Sequence, residues 1–320
     1  LVAFGRRLGE SFNVDTLKTA FKFDESRWKG NMALRDRGAQ LLADYTCAYL
    51  RSQLTVLPED GIQSIHDHVT LSDRLAHIAS NLGMADLVDA KEFPLSTETL
   101  ANTFRAIVGA LASDSGTHAA ELFCQDFVLA QLIDVDLMSL YMFEDPVNIV
   151  TALMRRQGAT QIEPRIIRSS GVLTTEPIYV VGIYCDKELI GESAGETPDV
   201  AHDMAAHDAL RRLWALTTDR PALPFGDKGH QLQLEPSDYE PRATLAEELA
   251  DVPDLNLNRI DGLAAYEPLD AIELLDNYEQ NVMPELGVPL RRRLRHKFSR
   301  GSKNMRKSRW YLVRPTAWTI

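Results

Sequence analysis

The sequence predicts a multidomain chain: an all-α domain, a smaller α+β domain of α-β-β-β-α order, and an irregular C-terminal extension. Three observations predict it. At 320 residues and 35.8 kDa the chain exceeds what one hydrophobic core organises, and 45% apolar composition requires most of it to fold. Apolar residues recur at three- and four-residue spacing from about residue 13 to 140, and the pattern changes to period-two runs after Asp145-Pro146. Charge then separates: residues 226–290 hold fifteen acids against three bases, and the last thirty residues hold eleven Lys and Arg with no acid.

In the first segment DTLKTAFKF, ALRDRGAQLLADYTCAYLRSQL, GIQSIHDHVTLSDRLAHIASNLGM, TETLANTFRAIVGALASDSG and HAAELFCQDFVLAQL each predict a helix. Gly30, Gly61, Gly83 and Gly116 are expected at or near their boundaries, where glycine ends a helix without steric cost. The second segment opens with a helix in VNIVTALMRRQG. RIIRSS, EPIYVVGIYCD and KELIGESAGE supply three strands, and the alanine-rich DVAHDMAAHDALRRLWAL a closing helix. The boundaries follow as 1–143, 144–218, 219–290 for an acidic extension and 291–320 for a basic tail. Scattered helical pieces in 226–290, such as ATLAEELA, are expected to dock on a partner or to fold on binding.

Net charge of −12 argues against attraction to nucleic acid over the whole surface, so basic character must be local. Cys47, Cys124 and Cys185 lie too far apart for a zinc knuckle or a secreted disulfide framework. No apolar run reaches the eighteen or so residues that span a bilayer. The opening LVAFGRRLGESF lacks a signal-type apolar core and an initiator Met, as expected of a chain that begins after processing. His66 and His68 stand at i and i+2, off a common helix face, and are not expected to hold a metal. Tyr179, Tyr184 and Trp214 sit on apolar faces and read as core rather than as base-stacking platforms. Neither type of Gly-rich phosphate loop occurs, nor does G-x-S-x-G or H-E-x-x-H, and no cofactor is called for.

NMALRDRGAQLL, from Asn31 to Leu42, aligns without a gap to a signature reading roughly N-E-R-L-E-F-L-G-D-A-V-L, with Asn31, Leu34, Gly38 and Leu42 matching. LANTFRAIVGAL, from Leu100 to Leu111, followed by Asp114-Ser115-Gly116, aligns to L-A-D-A-L-E-A-V-I-G-A-L and D-G-G, with Leu100, Ala101, Ala106, Gly109, Ala110 and Leu111 matching. On these blocks the first domain resembles the ribonuclease III family. The resemblance implies a metal-dependent nuclease fold in which two carboxylates from each block hold magnesium. The four positions here are Arg35, Ala39, Asn102 and Arg105. A centre of formal charge about −4 becomes one of about +2, which repels a divalent cation. Asp36 and Asp44 do not obviously substitute, because one helical step turns a side chain by about 100°. The resemblance therefore implies a degenerate, non-catalytic centre, with Arg35 and Arg105 filling vacated space and tolerating alanine.

DPVNIVTALMRRQG, Gly171 to Asp186 and ETPDVAHDMAAHDAL make the second domain resemble a double-stranded-RNA-binding domain, which straddles the grooves of A-form RNA. Its usual contact residues are replaced. GVLTTEP stands for the Gly-Pro-x-His loop, Ala152 for the first-helix glutamate, Pro198-Asp199 for a lysine pair and His207 for a third lysine. Arg155, Arg156, Arg211 and Arg212 remain as candidate phosphate contacts, though arginines near helix ends also serve the helix dipole.

The order of these two domains, with text such as LKTAF, AIVGAL, VGIYCDKELI and GETPDVA, resembles a family of mitochondrial large-subunit ribosomal proteins over about residues 5–217. That resemblance implies a matrix location in the large ribosomal subunit, with ribosomal RNA and neighbouring large-subunit proteins as partners and a ribonuclease III-like dimer partner as a further candidate. Arg291, Arg292, Arg293, Arg295, Lys297, Arg300, Lys303, Arg306, Lys307 and Arg309, interleaved with Leu294, Phe298 and Trp310, are the strongest RNA-binding candidates. Two alternatives are an endoribonuclease acting on structured RNA and a pseudoenzyme subunit of an active ribonuclease III-like partner.

Overall fold

The computed structural model describes residues 1–22, 31–90, 92–172 and 174–250. The helical segment comprises α1 (Val2–Leu8), α2 (Val14–Ala20), α3 (Met32–Gln53), α4 (Glu59–Thr70), α5 (Ser72–Asn81), α6 (Thr97–Asp114) and α7 (Thr117–Phe127). Short 3-10 turns at Leu129–Leu132 and Leu137–Leu140 follow. Then come α8 (Pro146–Arg156), β1 (Ile162–Ser170), β2 (Ile178–Cys185), β3 (Glu188–Gly195) and α9 (Pro198–Leu213), the sheet running in the order β1-β2-β3. The described residues fall into two compact units: residues 1–165, 182–193 and 202–250 form one, and 166–181 with 194–201 form the other.

In the larger unit α6 is the central helix. From Thr99 to Ala112 every residue but Arg105 is buried, as a helix apolar on most of its circumference must be. Ser96 caps it, its hydroxyl accepting from the Thr99 amide at 3.1 Å. The helix crosses α3 at two glycines. A methyl carbon on Gly38 would lie 1.8 Å from the Arg105 carbonyl oxygen, and one on Gly109 would lie 2.0 Å from that of Leu34. The two backbones are therefore in direct contact, which no other residue type permits.

The helix expected over residues 61–84 is two. Leu71 is extended (φ −53°, ψ 136°), ending α4 and opening α5, whose first turn carries Asp73. Gly83 and Gly116 bound helices at positive φ as expected, Gly61 lies inside α4, and Gly30 is outside the described residues. A helix unforeseen in the sequence, α1, docks through Phe4, whose ring meets Phe21 edge-on at 5.3 Å. The Arg7 guanidinium donates to the Leu82 carbonyl at the end of α5.

The α+β part follows the expected order. Asp186 and Lys187 both have positive φ, the two-residue turn that matches the twist of a hairpin. The Asp186 carboxylate ties this turn to the start of β1 through the amides of Thr160 and Gln161. Gly191 of β3 lets the sheet rest on α9, since a Cβ there would lie 2.5 Å from the Ala205 carbonyl oxygen. In the smaller unit Tyr179, Val181 and Ala201 form a separate apolar cluster.

The acidic extension departs from expectation over its first thirty residues. Instead of awaiting a partner, residues 221–249 lie as a strap on the larger unit. The Tyr49 hydroxyl donates to the Pro224 carbonyl at 2.7 Å, and the Phe225 ring stacks on Tyr49 at 6.3 Å. The Leu245 amide donates to Asp60 at 2.7 Å, and the Glu59 amide to the Ala243 carbonyl at 3.2 Å. A nearly buried ion pair anchors it: Arg51 and Glu59, whose side chains are 9% and 12% exposed, meet in a two-bond contact. Arg51 also donates to the Asp238 carbonyl, while Arg242 donates to the Leu54 and Arg51 carbonyls and, through its amide, to Glu59. Burial pushes the Glu59 carboxyl up, but the bonds from Arg51 and the Arg242 amide outweigh it and hold it below the usual range. Sequence reasoning missed this network, for Arg51 and Arg242 stand 191 residues apart.

Candidate functional site

The glycine crossing of α3 and α6 brings the first and second signature blocks against one another, so the positions resembling metal ligands can be examined directly. Arg105 donates from Nη1 to Asn102 Oδ1 at 3.0 Å and from Nη2 to the Thr70 carbonyl at 3.3 Å. Asn102 donates in turn to Glu98 Oε1 at 3.1 Å, and the Ser72 hydroxyl donates to Glu98 Oε2 at 3.2 Å. Arg35 donates from Nε and Nη2 to its neighbour Asp36 at 3.1 and 3.0 Å. Ala39 stands beside Gly38, partly buried, and contributes no polar atom.

Burial pushes the Arg105 guanidinium below its ordinary value, and repulsion from Arg35 adds to this, while Glu98 opposes it. It nonetheless stays a cation, as arginine does in proteins. These residues do not fit a magnesium ion. Both nearby carboxylates are engaged, Asp36 by a guanidinium and Glu98 by neutral donors, and the side chains between them present N–H groups rather than oxygen. Among the described residues no cluster of three or more His, Cys, Asp or Glu has metal-holding geometry.

The polar network also explains local structure. Thr70 ends α4, and its carbonyl is one of the four that a helix leaves without an internal partner. Arg105 supplies that partner and places a positive charge at the negative end of the helix.

Three of the four arginines singled out in the second segment have carboxylate partners. Arg211 meets Asp136 at 2.6 Å, Arg212 meets Asp208 at 2.8 Å, and Arg156 donates to the Glu248 carbonyl at 3.1 Å with its carboxylate at 3.9 Å. Arg155 is exposed. Ala152 is buried, and His207 packs on the Phe143 ring at 4.9 Å, with burial lowering its pKa. Trp214 is buried against Tyr141 and Phe143, and Tyr179 lies in the smaller cluster. Tyr184 is half-buried with the Arg165 guanidinium 5.0 Å above its ring. His66 is buried against Thr46, and its face differs from that of His68. The basic tail, Arg291 to Arg309, lies outside the described residues, as does 251–290.

Two family models match the chain. One, described as the endonuclease domain of large ribosomal subunit protein mL44, covers residues 22–111, and the other, described as the MRPL44 dsRNA-binding domain, covers residues 141–248. The second runs through the strap as far as Glu248. The large ribosomal subunit protein mL44 of Caenorhabditis elegans is 41% identical over 292 residues, which is 91% of this chain and 72% of that protein. Ribonuclease 3 of Symbiobacterium thermophilum is 27% identical over 63% of this chain and 87% of its own length. The solved nuclease domain of ribonuclease III from Campylobacter jejuni superposes with a TM-score of 0.38 at 17% identity, over 42% of this chain and 96% of that one. With both domain models in the expected order and this level of identity sustained along nine-tenths of its length, the chain belongs to the mL44 family of large ribosomal subunit proteins.

Proposed function

We propose that this protein is a non-catalytic structural component of the mitochondrial large ribosomal subunit, a ribonuclease III-like scaffold that binds ribosomal RNA and neighbouring large-subunit proteins in the matrix. The observation that carries the reading is the Arg105 guanidinium bonded to Asn102 and to the end of α4 at the place where an active relative needs carboxylates. A nuclease of this type activates water with metal, and a centre so occupied lacks the ligands. Residues 1–143 then serve as a degenerate nuclease domain and 144–218 as a retained RNA-binding fold. Phosphate contact falls chiefly to Arg291, Arg292, Arg293, Arg295, Lys297, Arg300, Lys303, Arg306, Lys307 and Arg309. Arg155, Arg156, Arg211 and Arg212 contribute less, because three of them already face carboxylates.

Sedimentation of gently lysed mitochondria tests the reading. The protein should comigrate with large subunits, and the purified protein should leave double-stranded RNA intact in magnesium or manganese. Comigration with a smaller complex that cleaves RNA would overturn it.

A further inference from the structure

On the larger unit, beside the first turn of α6, one aromatic side chain has no packing at all: Phe93 is 98% exposed. An isolated exposed apolar residue needs no explanation by itself, but the turn that carries this one is built. The Glu92 carboxylate accepts from the Ser96 amide at 3.2 Å, from the Ser96 hydroxyl at 3.1 Å and from the Thr99 hydroxyl, all through Oε1. The bonds from Thr99 and Ser96 hold the Glu92 carboxyl below its usual range. The turn is thereby closed on the capped end of α6, and its hydrogen bonds leave the ring pointing into solvent. A second exposed apolar side chain, Leu71 at 53%, flanks the same helix end, since the hydroxyl of adjacent Ser72 donates to Glu98.

We propose that Phe93 is the anchor of a docking surface for a basic protein, one that offers an apolar pocket rimmed by lysine or arginine. A fixed aromatic ring is the kind of side chain that dominates binding energy when a pocket covers it, and a pre-ordered turn loses little freedom on docking. Charge selects the occupant. Residues 85–98 hold four acids, Asp86, Asp89, Glu92 and Glu98, against one base, and Asp73 lies exposed beside Leu71. An RNA backbone meets like charge on this rim, and so does a second copy of a chain whose net charge is −12. A basic partner is steered toward the same rim. The proposal uses the large-subunit reading only to choose the particle in which it is tested.

A photo-crosslinking phenylalanine analogue placed at position 93 of the full chain, expressed in its own cells, tests this directly. After irradiation the complexes are purified by sedimentation and cross-linked peptides are sequenced by mass spectrometry. The expected product joins position 93 to one other protein, at a site flanked by Lys or Arg. Cross-links to RNA, to a second copy, to residues 291–310 of the same chain, or none in the assembled particle would overturn the proposal. Should the chain not sediment with large subunits, the functional reading fails, and the cross-link formed in whatever complex it enters still decides the docking surface. In parallel, Phe93→Ala should leave the melting temperature unchanged yet lower incorporation in competition with wild type by at least about tenfold. Phe93→Trp should retain most of it, and equal incorporation of Phe93→Ala would also overturn the proposal.

Discussion

The guanidinium of Arg105 donates to the carbonyl oxygen of Thr70, at 3.3 Å, and so joins the middle of α6 to the end of α4. Sequence reading treats Arg105 as filler of a vacated site, tolerant of alanine. The structure makes it the partner of a helix end and of Asn102, which separates it from Arg35, whose bonds run to exposed Asp36. Arg105→Ala should therefore lower unfolding free energy by about 1–2 kcal/mol, the cost of leaving part-buried acceptors without donors. Arg35→Ala should change it by about 0.5 kcal/mol or less. Urea unfolding of both variants decides the matter, and equal small effects would remove the capping role.

At the crossing of α3 and α6 two effects oppose one another. Alanine is favoured over glycine inside a helix by about 1 kcal/mol, but a methyl group at Gly38 or Gly109 must displace backbone that stands 1.8 or 2.0 Å away. Sterics win, because neither carbonyl can rotate out of its helix. Gly38→Ala or Gly109→Ala should destabilise by at least about 3 kcal/mol. A gain in stability for either would mean that the helices do not touch there.

Acid should weaken the fold through its histidines before it reaches the carboxylates. The Thr46 hydroxyl donates to the Leu42 carbonyl at 2.7 Å, so the ring of buried His66 donates from Nδ1 to Thr46 Oγ1 at 2.6 Å and keeps Nε2 unprotonated. Burial lowers the His66 pKa, the Arg51 charge lowers it further, and Asp67 opposes them. Burial likewise lowers His68 and His207, with Arg74 and Arg211 as secondary causes and Asp203 opposing at His207. In each case the unfolded chain takes up the proton more readily than the folded one, so stability rises with pH. The contribution is fully present above the ordinary histidine pKa of about 6.5 and is lost as pH falls toward the lowered folded values. Melting temperature should fall between about pH 7 and pH 5, and His66→Gln should show a shallower fall. An identical pH profile for that variant would exclude His66 as a contributor.

RNA affinity should reside mainly in the basic tail. If about five of the ten bases between Arg291 and Arg309 reach irregular RNA, counterion release gives a log-log salt slope near −3.5. Deleting residues 291–320 should flatten that slope sharply. Changing Arg155, Arg156, Arg211 and Arg212 together to glutamine should flatten it less, since Asp136, Asp208 and Glu248 already neutralise three of them. Both variants must melt cooperatively for the comparison to stand. A larger loss for the arginine variant would make the second domain the principal reader of RNA.

Periodicity located α2, α3, α6 and α7 because each has a long apolar face, and the change of period at Asp145-Pro146 located the α+β part. Gly38 and Gly109 were legible as matches to two signature blocks, but their mutual contact was not, since it joins positions 71 residues apart. The break at Leu71 escaped notice because apolar spacing continues through it, and α1 because seven residues carry too little pattern. At the degenerate centre the sequence showed which charges had changed sign and not what they touch. That Arg105 ends α4, or that Arg211 meets Asp136, depends on tertiary placement. The strap was hardest to read. Its short apolar residues, Leu223, Phe225, Leu232 and Leu245, are spaced irregularly, and its polar partners, Arg51 and Glu59, look like ordinary surface charges on helices.

The strap also has a consequence for how the chain is made. Arg51 is synthesised early, yet the carbonyl of Asp238 and the backbone of Arg242 that complete its surroundings emerge nearly two hundred residues later. The amino-terminal helices are therefore not a finished domain when residue 143 leaves the polypeptide tunnel, and they wait through the translation of the whole α+β part for their final layer. At ordinary elongation rates of about 5–20 residues per second the interval is roughly 5–20 s, long enough for a chaperone to matter. A premature stop codon anywhere before 242 would strip the cover from the oldest part of the molecule rather than merely shorten its end.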